Sequence, residues 1–468
     1  MNSPSFLHLG DPHLGYEQYG SRERFEDFYR SFLKTLKYAI DQNIKLIVIP
    51  GDLFDAKAID PLTHFHAVTA FEKCRQHGII VTVTEGNHDN ARYQDTYSWL
   101  KNLSSLGLIY LLGVKYGDTG IEIVPWDEST KSGSYIDTPE GIRVYGIQYY
   151  GASTHRVLED FAEKLEDPHA EGVRCSILCL HVGMEEAIPG MAGGLSPKVF
   201  DPIKKKIDYV ALGHIHKKYE VDGWIYNPGS IEPCSMEEAK WRGGAYHVDL
   251  AGDALHPFTV QKHLSVRTRS FLPIQIVTDG LTDPEQVYEK IAEEVLKQKT
   301  ARERGEEGAR APVIEATLRG QLEFSRTDLD LHRIKSILEE LEPIAISDIR
   351  NETIPRDLAA AQSVETGTKQ SKSEIELSIF KQILERDARF ADNAEHHALI
   401  VAQIKNMALE NRDPADIVDF LARDIGAVLE SEAEEVHAAP PFEAQEAEPD
   451  ELSRQAISPR PFSPAPGF

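Results

Sequence analysis

The sequence predicts a mixed α/β (α+β) protein, with helices outside its sheets and a functional site at the carboxyl ends of its strands. Two observations point there. Short apolar runs alternate with segments whose apolar residues recur every three or four positions, the two periods of strand and helix. Five of the apolar runs finish on side chains able to bind a metal: Gly10-Asp11-Pro12-His13, Gly51-Asp52, Gly86-Asn87-His88-Asp89, His181-Val182-Gly183 and Gly213-His214-Ile215-His216.

Each element has its own signal. Ser5 to Leu9 reads as the first strand, and Ser21 to Gln42 as a helix with Phe25, Phe28, Phe32, Leu33 and Leu36 on one face. Lys45 to Pro50 is the second strand. Asp60-Pro61 opens a helix to His77, with Asp60 as cap and Pro61 in the first turn. Strands follow at 79–84, 108–112, 120–125, 142–147, 176–180, 208–212, 224–226 and 245–250, with helices at 95–103 and 154–165. This domain is expected to span 1–265. Residues 270–352 read as a compact β-α-β-α-β unit without a ligand cluster, more fitting a lid or partner surface than a second site. A polar linker at 353–373 leads to helices at 373–389 and 396–411, and Asp413-Pro414 starts a third. Within a partner-binding segment assigned to 374–430, Ile375, Ile379, Ile383 and Leu384 form one apolar stripe, and Leu399, Ile400, Ile404 and Met407 another. Such stripes serve docking on a partner or packing on the chain's own body. The acidic, Pro-rich tail at 431–468 is expected to be disordered.

At 468 residues the chain is too long for one ordinary core. No run approaches the ~20 apolar residues of a membrane helix, and no signal peptide is apparent. The four cysteines form no CxxC pair, which argues against a disulfide framework and fits a reducing cytoplasm. The net charge of −26 opposes nucleic-acid binding on its face. It is unevenly spread, however: nine acidic residues and no Lys or Arg lie between Glu430 and Glu451.

The five tips supply more ligands than one ion needs. Mixed imidazole and carboxylate donors suit Mn, Fe or Zn better than Ca. A carboxylate shared by two ions about 3.5–4 Å apart is the arrangement used in phosphoester hydrolysis. Singly, the signals are modest. Asp11-x-His13 has strand spacing that puts both side chains on one side, which any chance pair meets. Gly51-Asp52 alone is more often a turn, and His181 alone more often a satisfied core histidine. His88 is more telling, because a histidine adds nothing to the turn that its neighbours make. His64-Phe65-His66 falls inside a predicted helix, where residues two apart face away from each other, and is assigned a structural role. His396-His397 is set aside likewise.

In order and spacing these motifs resemble the calcineurin-like metallophosphoesterases. Gly10-Asp11-Pro12-His13-Leu14-Gly15, Gly51-Asp52-Leu53-Phe54-Asp55 and Asn227-Pro228-Gly229-Ser230 are more particularly similar to the SbcD-type DNA-repair exonucleases. The resemblance implies a two-sheet β-sandwich flanked by helices, a small capping domain and carboxyl-terminal helices that bind an SMC-like ABC ATPase of the SbcC type. It implies two manganese ions, one held by Asp11, His13, Asp52 and His216, the other by Asp52, Asn87, His181 and His214. His88 would not bind metal; it would act on the phosphate and be oriented by Asp52 or another carboxylate. Some members carry histidine where this chain has Asp55, which bears on how substrate is positioned. DNA is the implied substrate and a homodimer the implied assembly, with no membrane association. Lys198, Lys204, Lys205, Lys206, Lys217 and Lys218 either neutralise phosphates or form a solvated surface.

Three functions follow: a manganese-dependent DNA exo/endonuclease in double-strand break repair, a phosphoesterase for a smaller phosphoprotein or nucleotide, and a non-catalytic scaffold. A scaffold predicts lost ligands, and none of the eight positions is lost.

Overall fold

The structure, a computed structural model, describes residues 4–91, 97–117, 120–187, 194–250, 258–267, 269–303, 310–343, 345–355, 372–385, 390–409, 416–418 and 420–421. The chain divides into two compact units, 1–360 and 361–468.

The strands of the first unit are β1 (Ser5–Leu9), β2 (Leu46–Ile49), β3 (Ile80–Val83), β4 (Tyr110–Leu111), β5 (Lys115–Gly117), β6 (Gly120–Glu122), β7 (Tyr135–Asp137), β8 (Ile142–Ile147), β9 (Cys175–His181), β10 (Tyr209–Gly213), β11 (Tyr219–Val221), β12 (Ile225–Asn227), β13 (Ala245–Asp249) and β14 (Thr259–Leu264), followed by β15 (Phe271–Val277), β16 (Val313–Leu322) and β17 (Ala345–Pro355). Two six-stranded sheets form the bulk of it, in the orders β14-β13-β1-β2-β3-β4 and β11-β12-β10-β9-β8-β7. Their central strands run parallel, β1 to β4 in one and β8, β9, β10 and β12 in the other. Parallel neighbours end on the same side, so the tips of β1, β2 and β3, and those of β9 and β10, emerge together.

Strand alternation sorts each sheet's residues into two layers. Phe6, Leu46 and Val48 pack with Val144, Ile177, Cys179, Tyr209 and Ala211 between the sheets. Leu7, Leu9, Ile47 and Ile49 face outward onto α1 (Arg22–Asp41), α2 (Pro61–Gln76) and α3 (Trp99–Ser105). On the other flank, Ile147, Leu178, Leu180 and Leu212 meet α4 (Thr154–Lys164). The result is a two-sheet sandwich between helices. Asp60 caps α2, accepting from Leu62 and Thr63 N–H at 2.7 and 3.0 Å, and Pro61 takes the first turn. The His64/His66 pair lies in this helix, as its period requires. His64 meets Asn102 at 2.8 Å, while His66 stacks on Tyr29 with ring centres 3.7 Å apart.

A third, three-stranded parallel sheet (β15-β16-β17) carries α5 (Pro284–Glu303) and α6 (Leu331–Glu339) around its own apolar cluster, including Ile274, Ile276, Ile291, Ile314, Leu318 and Ile334. It is tied to α1 by buried ions. Arg24 and Arg269 converge on Asp27, with Arg24 Nη1 at 3.0 Å and Arg269 Nη2 at 3.0 Å, and Arg24 Nη1 also reaches Glu232 at 3.0 Å. Burial alone would raise the Asp27 carboxyl, but the Arg269 and Arg24 guanidiniums outweigh it and hold it below its usual range.

In the second unit, helices Lys372–Glu385 and Ala394–Leu409 pack together, linked by Lys381–Glu395 at 2.7 Å and by Lys405–Glu376. Ala398 and Ile400 are buried, whereas Ile383 and Leu399 are exposed. Ile375 lies where side chains are outside the description. Of the third helix expected from Asp413, residues 416–418 and 420–421 are described and helical. The tail at 431–468 lies outside the described residues.

One buried histidine bridges the two main sheets. His8 Nε2 donates to the Leu212 carbonyl at 3.0 Å, which leaves Nδ1 to accept from the Tyr209 hydroxyl at 3.0 Å. Burial pushes its pKa down from 6.5 to about 3, so it stays neutral in the fold. A depressed imidazole pKa gives stability that is complete above 6.5 and is lost as pH falls toward 3. His8→Gln retains donor and acceptor without titrating. The stability advantage of the natural chain over this variant, measured by urea unfolding, is expected to be largest near neutrality and to shrink steadily below pH 6.5; a pH-independent difference would refute this role.

Candidate metal centre

The strand tips converge through unusual backbone. Asp11, His13, Asp52 and His214 all have positive φ, at 33°, 44°, 49° and 84°. For non-glycine residues this region costs on the order of 1–3 kcal/mol each and concentrates at functional sites. It also corrects the spacing argument for Asp11 and His13. Strand β1 ends at Leu9, so the two side chains are aimed by a left-handed turn beyond it, not by strand alternation. Glycines permit the close approach of the turns. A Cβ on Gly86 would lie 2.1 Å from Asp52 Oδ1, and one on Gly213 would lie 2.5 Å from the Pro50 carbonyl.

Asp52 stands at the centre. Its Oδ2 lies 3.2 Å from His181 Nε2, 3.9 Å from His13 Nε2 and 3.9 Å from His88 Nε2. Its Oδ1 accepts from the His88 backbone N–H at 3.0 Å. Burial would raise this carboxyl, but the His181 and His13 imidazoles outweigh it and hold it well below the usual carboxylate range.

On one side of Asp52, Asn87 Oδ1 lies 2.9 Å from His181 Nε2 and 3.1 Å from His214 Nδ1, and those two nitrogens are 3.2 Å apart. His181 Nδ1 donates to the Pro50 carbonyl at 2.7 Å, which turns Nε2 inward. On the other side, His13 Nε2 and His216 Nε2 face each other at 3.1 Å. Asp11 Oδ1 accepts from the His214 backbone at 2.9 Å, while Asp11 Oδ2 is buried without a hydrogen-bond partner. All eight sequence-predicted residues therefore share one site. Opposed imidazole nitrogens and an orphaned carboxylate oxygen are donors lacking an acceptor, and a divalent cation fits that deficit. Three overlapping donor groups meet the spacing of an ion site: Asp11-Asp52-His181, His13-Asp52-His88 and His13-His216-Cys234.

His88 differs from the others. Its Nδ1 donates to the Asp55 carbonyl, and its side chain is 40% exposed where the Asp52 side chain is 3%. The expected carboxylate orienter is thus replaced by a backbone oxygen. The Asp55 carboxylate turns instead toward His13, Oδ1 lying 3.3 Å from Nδ1.

Sequence reasoning passed over three supporting residues. Buried Asp89 accepts from Gly86 N–H at 3.0 Å, Phe54 N–H at 3.0 Å and Leu53 N–H at 3.3 Å, so it pins two ligand turns together. Burial and then the Asp52 charge push its carboxyl up to about 7. The fourth place of Gly86-Asn87-His88-Asp89 was its signal. Glu238 Oε2 holds His216 Nδ1 at 2.9 Å, the support from behind that metal-binding histidines commonly have. Asn227, the first residue of Asn227-Pro228-Gly229-Ser230, donates to the carbonyls of Ile215 and Lys217 at 2.6 and 2.9 Å and so clamps the His214/His216 turn. Neither Glu238 nor Cys234 stands in a motif that would have exposed it.

The sandwich and its clustered donors are similar to those of a metallophosphoesterase domain. Residues 4–218 match the family model for calcineurin-like phosphoesterases, and the chain is a hydrolase of that metal-dependent class. Its relatives include the DNA double-strand break repair protein Mre11 of Sulfolobus acidocaldarius, 26% identical over 72% of this chain and 80% of that one. The protein of the same description from Archaeoglobus fulgidus is 33% identical over 50% of this chain and 51% of its own length, so the chain spans about half of it. That of Methanocaldococcus jannaschii is 29% identical over 58% of this chain and 69% of that one. The chain is thus homologous to archaeal Mre11 proteins. No helix among the described residues is long and apolar enough to cross a membrane.

Asp89→Asn keeps the shape but cannot accept from all three backbone N–H groups. It is expected to lose about 1–3 kcal/mol of stability and roughly 10–100-fold of metal affinity. Thermal unfolding and calorimetric manganese titration check this; unchanged manganese affinity would show that the turns position themselves without Asp89.

Proposed function

We propose that this chain is a two-metal, manganese-dependent DNA exo/endonuclease of double-strand break repair. The observation that carries the reading is the convergence of seven side chains around Asp52, with Asp11 Oδ2 left without a partner. Asp11, His13, Asp52 and His216 would hold one ion, and Asp52, Asn87, His181 and His214 the other. Two divalent ions lower the pKa of the attacking water and offset charge on the phosphoryl oxygens. The chain's own residues do the rest. Asn227 and Glu238 keep His214 and His216 in register, and Asp89 fixes the Asp52 and Asn87 turns. His88, half-exposed, with its Nδ1–H committed to the Asp55 carbonyl, would present Nε2 to the scissile phosphate and, as the imidazolium, pass its Nε2 proton to the leaving oxygen, becoming the neutral ring.

The accessory parts fit the same reading. The unit at 270–352, held to α1 through Arg269 and Asp27, serves as a capping surface for DNA. Exposed Lys198, Lys205 and Lys217 are available to phosphates, whereas Lys204 pairs with Asp222 and Lys206 with the Leu165 carbonyl. The two helices at 372–409 offer exposed Ile383 and Leu399 to an SMC-like ABC ATPase. Exposed Leu62, Phe65 and Trp99 on α2 and α3 suit a homodimer contact. With its thiols reduced, the protein works in the cytoplasm.

Linear duplex DNA with manganese should be degraded by the natural chain. His88→Ala should bind manganese with unchanged stoichiometry yet cut at least ~100-fold more slowly, the usual contribution of a positioned acid–base group. Equal cutting by both proteins would reject the role of His88. Preferential hydrolysis of nitrophenyl phosphates, with DNA untouched, would reject the nuclease reading itself.

A further inference from the structure

Beside the metal centre, on the same edge of the sandwich, lies a cavity of about 580 Å³ that none of the proposed metal ligands lines. It sits at the carboxyl ends of β3, β4 and β8, where Glu85, Leu112 and Gln148 follow the strands. Glu85 stands two residues ahead of Asn87, and its carbonyl accepts from the Tyr149 N–H at 2.8 Å. The Tyr149 ring lies 6.0 Å from that of His181 and 5.9 Å from that of His214. Cavity and metals are thus neighbours across the Glu85 and Gln148–Tyr149 backbone. Sites for small ligands run to roughly 300–1,000 Å³, and this volume holds one nucleotide rather than a run of duplex.

The lining is basic. Lys101 comes from α3, Lys115 from β5 and Lys131 from the loop before β7. Among the described residues the one lining carboxylate is Glu85, and its Oε1 already accepts from the Ser98 hydroxyl at 2.6 Å. Lys131 pairs with Glu128. Lys115 commits one of an ammonium's three N–H donors to Ser132 Oγ at 2.9 Å, and Thr130 Oγ1 lies 2.9 Å from that same oxygen. The loop that presents these hydroxyls is preformed. Asp127 N–H donates to the Ser132 carbonyl at 2.9 Å, Asp127 Oδ1 accepts from Ser129 N–H at 2.8 Å, and Gly113 N–H donates to the Gly133 carbonyl at 3.0 Å. Lys131 is held in left-handed backbone, φ 49°, a conformation that concentrates at functional sites. On the floor, Gln148 takes the Val114 N–H at 2.9 Å and gives to the Val114 carbonyl at 3.0 Å, which fixes its shape. Tyr97, 56% exposed, supplies an aromatic ring, with Leu111 and Val114 as further apolar surface.

Ammonium and hydroxyl donors recognise a phosphate, and an aromatic ring beside apolar surface suits a base. A phosphate monoester carries about −1.5 to −2 charge at pH 7, which the lysines offset. We propose that this cavity is a metal-independent site for a nucleoside monophosphate, with the phosphate at Lys101 and Lys115 and the base against Tyr97. The choice of nucleotide rests on the nuclease reading, since cleavage at the neighbouring metals would release such a product; the basic cavity itself does not.

The test is calorimetric titration of the full chain with deoxyadenosine monophosphate in excess chelator, so that no metal can hold the phosphate. The natural chain should bind one nucleotide saturably, and inorganic phosphate should compete. Lys101→Gln and Lys115→Gln should each weaken binding about 10-fold or more, the worth of a charged hydrogen bond. Lys115→Arg, which keeps the charge, should restore most of it, and Lys198→Gln should match the natural chain. Deoxyadenosine, without the phosphate, should bind far more weakly. No binding in chelator would overturn the proposal and leave the two-metal reading intact. Equal binding of deoxyadenosine, or unchanged affinity in both glutamine variants, would overturn it as well. Variants that weaken duplex binding, in a chain that takes no free nucleotide, would assign the lysines to the DNA strand instead and overturn it too. Nucleotide bound as expected, beside DNA left uncut with manganese, would uphold the cavity and sink the nuclease reading alone.

Discussion

The centre of this structure depends on one buried carboxylate shared by two sheets. Asp52 reaches His181 of the second sheet at 3.2 Å and His13, in the turn beyond β1 of the first, at 3.9 Å, with its side chain 3% exposed. A carboxylate in that position is costly unless positive or polarised groups surround it. The fold supplies them by bringing the parallel tips of both sheets to one edge of the sandwich. The sheets are held in relation by the packing of Phe6, Val48, Ile177 and Tyr209, and by the His8 bridge from β1 to Tyr209 and Leu212 of β10. Core packing and site geometry are thus one problem. A shift of one sheet against the other would separate Asp52 from His181.

The strained turns explain why the site needs so rigid a frame. Four of the eight residues occupy left-handed backbone that their side chains disfavour. Such conformations persist only where the surroundings over-determine them. Here the surroundings are visible. Asp89 takes three backbone N–H groups from the Asp52 and Asn87 turns, Asn227 takes hold of two carbonyls of the His214 turn, and the His214 N–H is bound by Asp11. The Asp52 turn is thereby held by a side chain from the Asn87 turn, and the His214 turn by Asp11 and Asn227.

What the sequence disclosed follows from this physics. The ligands were legible because glycine before Asp52, Asn87 and His214 announces a turn, and a metal-binding side chain after it has no turn-forming purpose. The Asp60-Pro61 helix start and the core strands were legible from local chemistry. The short strands β5, β7, β11 and β14 were not: at three to six residues, they are recruited by neighbours rather than by their own pattern. Nor was Glu238, because a residue that supports His216 from a loop 22 positions away leaves no periodicity behind it. The geometry of Asp11 and His13 was misjudged for a related reason. Spacing says nothing about where a strand stops, and β1 stops before either residue.

The loop from Asn227 to Glu238 ties these themes together. Its first residue clamps the His214/His216 turn, and its last fixes His216. Between them, Glu232 meets Arg24 at 3.0 Å and Ser31 at 2.6 Å, and the Pro233 carbonyl accepts from Gln18 and Arg24. Arg24 in turn shares Asp27 with Arg269, at the entrance to the three-stranded sheet. A buried network of this kind is unforgiving: losing one partner leaves a charge uncompensated, whereas the intact set holds its members in one arrangement. The small sheet is thus joined to the metal centre through a continuous chain of buried polar contacts. A force on β15 that disturbed Arg269 would reach Asp27, Arg24 and Glu232, and so the loop that carries Glu238. Nine of the acidic residues lie in the stretch from Glu430 to Glu451, so the net charge of −26 does not by itself describe the surface around the site.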